Sequence, residues 1–442
     1  MELIFNMLNR FTIYFLYLII FLLPWQTRWI IHQGMINNGA WEYGSYSLYS
    51  LDILILIALT IFILSKKEFV IYLTKPLYRP LILLFVIFCL IIIPFSLDPF
   101  LSFYKFIIWL LGISLLYLVA KLPFRKSALA FVSGAMLSGL LGIWQFLNQS
   151  TFAAKWLGLA SHDANELGTS VIEAVAPDGF VERWLRAYGS LDHPNIFGGL
   201  MAISLILASW LWLFRKDATN KLEGGILIIS IAVLTAGTIV SFSRASWIAA
   251  GLGLIVTLIY YFYQKNKHWV DFMAWLAAIG IVGFLITTQY SYLLTPRISG
   301  DTRLEQISIT ERLDGVDSSK TLFFKKPMVG FGIGTYTLAL KEINPKKLSW
   351  FYQPVHNSLA LLLVEVGVIG VLLLLLTIGS FLVYIFKGSN HEHRWLIIAL
   401  SMALLVIAVF EHWLFSLHFG IVFSATVLGL IASGQKSKAL TE

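Results

Sequence analysis

A single cysteine, Cys89, stands in the 442 residues, inside the apolar run 81–94, so no intramolecular disulfide can staple the loops. Charge is scarce as well. Asp, Glu, Lys and Arg make up 13% of the chain, about half the share in a soluble domain, while hydrophobic residues reach 58% and the mean hydropathy is +0.80. That balance excludes an ordinary water-soluble globule. No Asp-x-Asp pair, Cys/His cluster at zinc spacing or Gly-x-Ser-x-Gly elbow occurs, so the sequence gives no ground for a metal site, a cofactor or a hydrolase nucleophile. Acids inside apolar runs are few: Asp52, Asp271 and Glu411 near run edges, and Glu365. An ion-coupled transporter usually needs more, and often shows internal repeats, of which there is no trace.

What the chain has is long apolar runs. A membrane-crossing helix needs about 20 such residues, and candidate spans fall at 11–31, 48–65, 80–97, 102–120, 127–148, 195–214, 224–242, 245–263, 269–289, 357–386, 395–411 and 417–433. The stretch 11–25 is followed by no small-residue cleavage site and reads as a retained helix. The run 357–386 is long enough to require strong tilt or a protruding end. With a cytoplasmic N-terminus, the inner loops carry Lys66, Lys67, Lys75, Arg79, Lys121, Arg125, Lys126, Arg215, Lys216, Lys221, Lys265, Lys267, Lys387, Arg394, Lys436 and Lys438. The short outer loops hold little beyond Arg28 and Arg244, as the positive-inside rule requires. The formal charge of +8 is thereby explained without a nucleic-acid partner. The expectation is an all-α integral membrane protein: one transmembrane domain over 1–442, about 12 transmembrane helices, both termini cytoplasmic. Two long polar segments, 149–194 and 290–356, fall on the external face, and loops of such length are usually functional. In the second, Leu304, Ile307, Ile309 and Leu313 alternate with charged residues, a pattern of short amphipathic helices on a membrane surface.

Outside a cell neither ATP nor a nucleotide sugar is at hand, so an enzyme there needs a pre-activated substrate, such as a glycan on a lipid pyrophosphate. It would need cations for the pyrophosphate and a base for the acceptor hydroxyl. Three outer segments offer such groups. Ser241-Phe242-Ser243-Arg244-Ala245-Ser246-Trp247 joins two spans and places Arg244 at the membrane boundary, either snorkelling to headgroups or gripping phosphate oxygens. Arg186-Ala187-Tyr188-Gly189-Ser190-Leu191-Asp192-His193-Pro194-Asn195 enters a span. Asp192 or Asn195 is expected to cap that helix and Pro194 to sit in its first turn, leaving Arg186 and His193 open to function or to surface solvation. The second long segment closes with Gly330-Phe331-Gly332-Ile333-Gly334 and then His356-Asn357-Ser358. The glycines follow no βαβ pattern, so they read as a turn or close packing rather than a nucleotide site. His356, where the chain re-enters the bilayer, is either a proton acceptor titrating near neutrality or an ordinary interfacial histidine.

Taken together, Ser243-Arg244-Ala245-Ser246-Trp247, Arg312, the run from Pro327 through Gly330, Gly332 and Gly334 to Tyr336, His356-Asn357, and Glu365-x-Gly367-x-x-Gly370 resemble the bacterial O-antigen ligase / O-antigen polymerase superfamily. The segment 186–195 is similar to the family's entry to the middle helices. The resemblance implies a GT-C-like, metal-independent glycosyltransferase without a cofactor in the bacterial cytoplasmic membrane, working on its periplasmic or external face. It implies an undecaprenyl-pyrophosphate-linked glycan as donor and a hydroxyl of a glycan or lipid-glycan as acceptor. It leaves the acceptor open among lipid A–core, a growing repeat-unit polymer and a protein hydroxyl; lipid A–core is the acceptor favoured here, with repeat-unit polymerisation the alternative. Carried over, His356 and Arg244 are the catalytic residues. Arg312, Arg186, His193 and Asn357 would bind the pyrophosphate or glycan. A lipid-linked glycan flippase is the alternative from another class.

Overall fold

The computed structural model describes residues 2–65, 76–166, 168–176, 179–215, 220–264 and 268–434. The loop cations Lys66, Lys67, Lys75, Lys216, Lys265, Lys267, Lys436 and Lys438 lie outside the described residues. Helix makes up 72% of the described residues. In order the helices are α1 (Glu2–Leu22), α2 (Ser50–Leu64), α3 (Tyr78–Ile92), α4 (Pro99–Val119), α5 (Phe124–Asn148), α6 (Pro194–Leu213), α7 (Lys221–Val240), α8 (Arg244–Tyr263) and α9 (Trp269–Gln289). They continue as α10 (Ser291–Ser299), α11 (Arg303–Lys325), α12 (Tyr336–Ile343), α13 (Ser358–Gly388), α14 (His391–Phe410), α15 (Trp413–Ser416) and α16 (His418–Ser433). Among the described residues nine helices are long and apolar enough to cross a membrane, and three shorter apolar ones, Arg10–Leu22, α2 and α16, stand where other spans were expected. The all-α membrane class is met.

α6 is the axis of the bundle: every residue from Pro194 to Leu213 is buried. It carries no charge and packs against α5, α7, α8 and α14, as an all-apolar helix must. Two sequence expectations change. The span at 11–31 ends as helix at Leu22, because Pro24 follows and residues 28–32 form a strand. The long run at 357–386 belongs to α13, which is broken inside at Gly367 (φ 64°, ψ −175°), so its first turns form a separate arm.

The longer segments joining the helices gather at one end. β1 (Arg28–His32) pairs with β4 (Tyr46–Tyr49), β2 (Met35–Ile36) with β3 (Gly39–Ala40), and β5 (Val171–Val175) with β6 (Val181–Leu185), all antiparallel. The β2–β3 turn uses Asn37 and Asn38, both at positive φ, as a two-residue hairpin of this kind requires. Asn37 Nδ2 donates to the carbonyls of Pro345 and Lys347, each at 2.8 Å, pinning the α1–α2 connection to the segment after α12. Arg303 pairs with Glu173 at 2.8 Å, tying α11 to β5. The segment 149–194 is thus a hairpin in part. The segment 290–356 holds two short helices, α10 of 9 residues and α12 of 8, and between them α11 of 23 residues, longer than the short helices expected where Leu304, Ile307, Ile309 and Leu313 lie. The described loop cations, such as Arg125, Arg215 and Arg394, sit at the opposite helix ends.

Candidate active site

At the loop end a cleft of about 510 Å³ opens between α8, α11 and the start of α13. Each wall has a local cause. Ser243 caps α8 by accepting from Ser246 N, which makes Arg244 the first helical residue and aims it at the cleft. Asn357 caps α13: its Oδ1 accepts from Ala360 N at 2.8 Å, and His356 precedes it. On α11, Glu305 and Arg312 are seven residues apart and face inward, while Ile309, Leu313 and Val316 form an apolar rim. Asn195, in the first turn of α6, closes the back. Residues from the N-terminal ends of three helices, α6, α8 and α13, thus line one space, and helix N-termini favour anions.

The charges form two linked groups. Glu305 binds Arg297 through Oε1 and lies 3.3 Å from Arg244 Nη2 through Oε2. Glu411 lies 3.6 Å from Arg312 Nη2 and 3.5 Å from His356 Nδ1, and accepts from Asn195 Nδ2 at 2.7 Å. Arginines on the cleft wall outnumber these carboxylates, and Arg312 Nε is buried with no acceptor among the described residues. Positive charge is under-compensated. Burial, then the nearby Arg297, push the Arg186 pKa well below its ordinary value. Burial also lowers that of Arg297; Glu305 opposes the shift, while Arg244 and Arg312 add to it. An anion in the cleft would offset this excess of positive charge.

The sequence candidates divide. Arg244, Arg312, His356 and Asn357 line the cleft. Arg186 does not: it is 5% exposed and spends its guanidinium on Ser241 O (2.9 Å) and Asn195 Oδ1 (2.6 Å), behind the wall. His193 also stands back. It, rather than Asp192 or Asn195, caps α6, with Nδ1 accepting from Asn195 N, Nε2 3.1 Å from Ser170 Oγ, and Pro194 in the first turn as expected. Asn195 is free to hold Glu411 because His193 does the capping. Arg297, Glu305 and Glu411 were not singled out as site residues. Glu411 alone carried a signal, an acid at the edge of an apolar run where charge needs a partner.

The glycine-rich run is structural, as expected. Gly330, Gly332 and Gly334 all hold positive φ, and Phe331 N and Gly332 N donate to the carbonyls of Val364 and Glu365 on the α13 arm. The turn clamps the arm whose other end presents His356.

The fold is that of an all-α membrane protein with a cationic cleft at one end. Residues 229–375 match the family model described as O-antigen ligase, so the resemblance to the O-antigen ligase / polymerase superfamily is shown over that stretch. The matched stretch holds Arg244, Arg297, Glu305, Arg312 and His356; Arg186, His193, Asn195 and Glu411 lie outside it. No curated protein sequence matches the chain.

Proposed function

We propose that the chain is a membrane glycosyltransferase, GT-C-like in architecture, that moves a glycan from undecaprenyl pyrophosphate to an acceptor hydroxyl on the external face. The observation that carries this is the under-compensated arginine cluster, with buried Arg312 Nε unpaired, beside His356 and at the N-terminal ends of three helices. The match to the O-antigen ligase family supports it. The apolar rim of Ile248, Ile309, Leu313, Val316 and Phe410 suits a lipid-borne donor whose pyrophosphate must lie beside membrane-level side chains.

In the proposed step the acceptor oxygen attacks the anomeric carbon, and the bond from that carbon to the pyrophosphate oxygen breaks. His356 Nε2 takes the hydroxyl proton, and the lipid pyrophosphate leaves with both electrons of the broken bond. Arg244 and Arg312 bind its oxygens in forks, Arg297 adds field from the cleft wall and Arg186 from behind it. Pyrophosphate is a good leaving group, so neutralising its charge stands in for a general acid. Transfer is proposed, as the family resemblance implies, to be metal-independent and to survive EDTA.

Ligation, with lipid A–core as the favoured acceptor, and repeat-unit polymerisation share this chemistry. Purified protein is incubated with a lipid-pyrophosphate glycan and each acceptor, and products are read by mass spectrometry. An acceptor heavier by one glycan supports transfer and names the acceptor. Movement of intact donor across vesicles without any adduct points to a flippase. Impermeant cysteine labelling of intact cells tests sidedness: positions 161, 317 and 347 label and position 125 does not; the reverse pattern contradicts an external cleft.

A further inference from the structure

A proton-accepting histidine needs one ring nitrogen occupied so that the other presents a lone pair. We infer that Glu411, outside the matched family stretch, is the positioning residue that does this for His356 and couples it to the pyrophosphate through Arg312. The inference rests on His356 being the base of the proposed transfer.

Glu411 is 3% exposed and follows the C-terminus of α14, where the helix dipole disfavours negative charge. A buried carboxylate there is costly unless partners surround it, and they come from three other helices or their flanks. Asn195 of α6 donates to Oε1 at 2.7 Å, and its amide is oriented because Oδ1 accepts from Arg186 Nη2. Arg312 of α11 lies at 3.6 Å from Oε1. Ser358 of α13 donates to the Glu411 carbonyl at 2.7 Å and fixes its backbone. His356, just before α13, points Nδ1 at Oε2 from 3.5 Å.

Nδ1 is buried and has no other acceptor among the described residues. Facing a carboxylate, it carries the proton, which leaves Nε2 as the basic nitrogen. The separation exceeds that of a good hydrogen bond, and such contacts tighten when substrate is bound. Arg312 supplies the reason to tighten. Its pairing with Glu411 is loose and its Nε is unpaired, so pyrophosphate oxygens compete well for the guanidinium. Once Arg312 turns to the donor, the Glu411 charge, still held by Asn195, faces His356 without that guanidinium and stabilises the imidazolium formed as the hydroxyl proton moves to Nε2. Donor binding thus readies the base through one shared carboxylate.

The test is a double-mutant cycle in full-length protein. Glu411→Gln keeps the size and the acceptor for Asn195 but removes the charge and offers His356 Nδ1 an amide. Turnover is expected to fall about 100-fold or more, the scale of a lost base or wrong tautomer, with lipid-pyrophosphate affinity retained. Glu411→Asp, which restores charge, is expected to recover at least about tenfold of that loss. In the His356→Gln background, adding Glu411→Gln should cost no more than about twofold, since it acts through a base already removed. Multiplying losses, an Asp variant no better than Gln, or full turnover in Glu411→Gln beside an inactive His356→Gln each overturn the Glu411 inference alone. Full turnover in His356→Gln overturns the base assignment on which it rests.

Discussion

The carbonyl oxygen of Phe242 accepts a 2.8 Å hydrogen bond from Arg297 Nε, and the same guanidinium pairs with Glu305. Phe242 holds φ 49°, a left-handed value that disfavours a non-glycine residue, and its side chain is fully buried. The turn that presents Arg244 is therefore held by tertiary partners rather than by local preference. Arg297→Gln should destabilise by about 3–5 kcal/mol, the scale of a broken buried pair. Arg303→Gln, removing a mostly exposed partner of Glu173, should cost about 1 kcal/mol or less. Thermal melts of solubilised protein compare the two, and equal shifts would remove Arg297 from its supporting role.

Arg244→Ala leaves Glu305 still paired with Arg297, so the fold is expected to survive. Transfer should drop about 100- to 1,000-fold, as when a charge-stabilising donor is lost from an active site. Arg244→Lys should stay well below wild type, because an ammonium cannot form the two-pronged grip. Rates within a few-fold of wild type would leave Arg244 as a residue that snorkels to headgroups.

Gly367 breaks α13 at φ 64°, ψ −175°, where only glycine is at ease, and an added methyl would meet the backbone of Met328 and Val329. Gly367→Ala should cost about 1–3 kcal/mol and disturb the arm that ends at His356. Gly379→Ala, in the same helix with open space around it, is the control and should be neutral or slightly stabilising. Identical melts for the two variants would show that the break is not needed.

His412 contributes a pH dependence. Burial first, then nearby His356, push its pKa well below the ordinary value, so the folded chain keeps it neutral. Below about pH 6.5 the unfolded chain takes up a proton that the folded one refuses. Stability from this group is full above that pH and falls as pH drops toward the folded pKa, by up to about 1.4 kcal/mol per pH unit. Melts at neutral and acidic pH should show a smaller acid loss in His412→Gln than in wild type. An unchanged loss assigns the acid sensitivity elsewhere, with His193, whose pKa burial also lowers, the first to examine.

Much of the architecture was legible because apolar runs report spans directly, and the order of Arg244, Arg312 and His356 marked one wall of the cleft. The parts that were not legible depend on partners distant in sequence. Arg297 and Glu305 look like ordinary loop charges until α10 and α11 fold back on the Phe242 turn. Glu411 becomes a hub only where α6, α11, α13 and α14 meet. Residues 28–32 read as helix because Trp29, Ile30 and Ile31 extend an apolar run; pairing with residues 46–49 makes them a strand. The break at Gly367 was hidden too, since glycine is common in membrane helices and its backbone angles are set by the turn packed against it.

The most direct measurement of the central claim is product mass and donor binding, taken side by side for wild type and His356→Gln with a lipid-pyrophosphate glycan. Wild type is expected to give acceptor heavier by one glycan, with lipid pyrophosphate released. His356→Gln is expected to bind the donor as tightly and to make no product. Full turnover in His356→Gln would contradict the account: the arginines would then act alone, with the acceptor deprotonated by water or by His412.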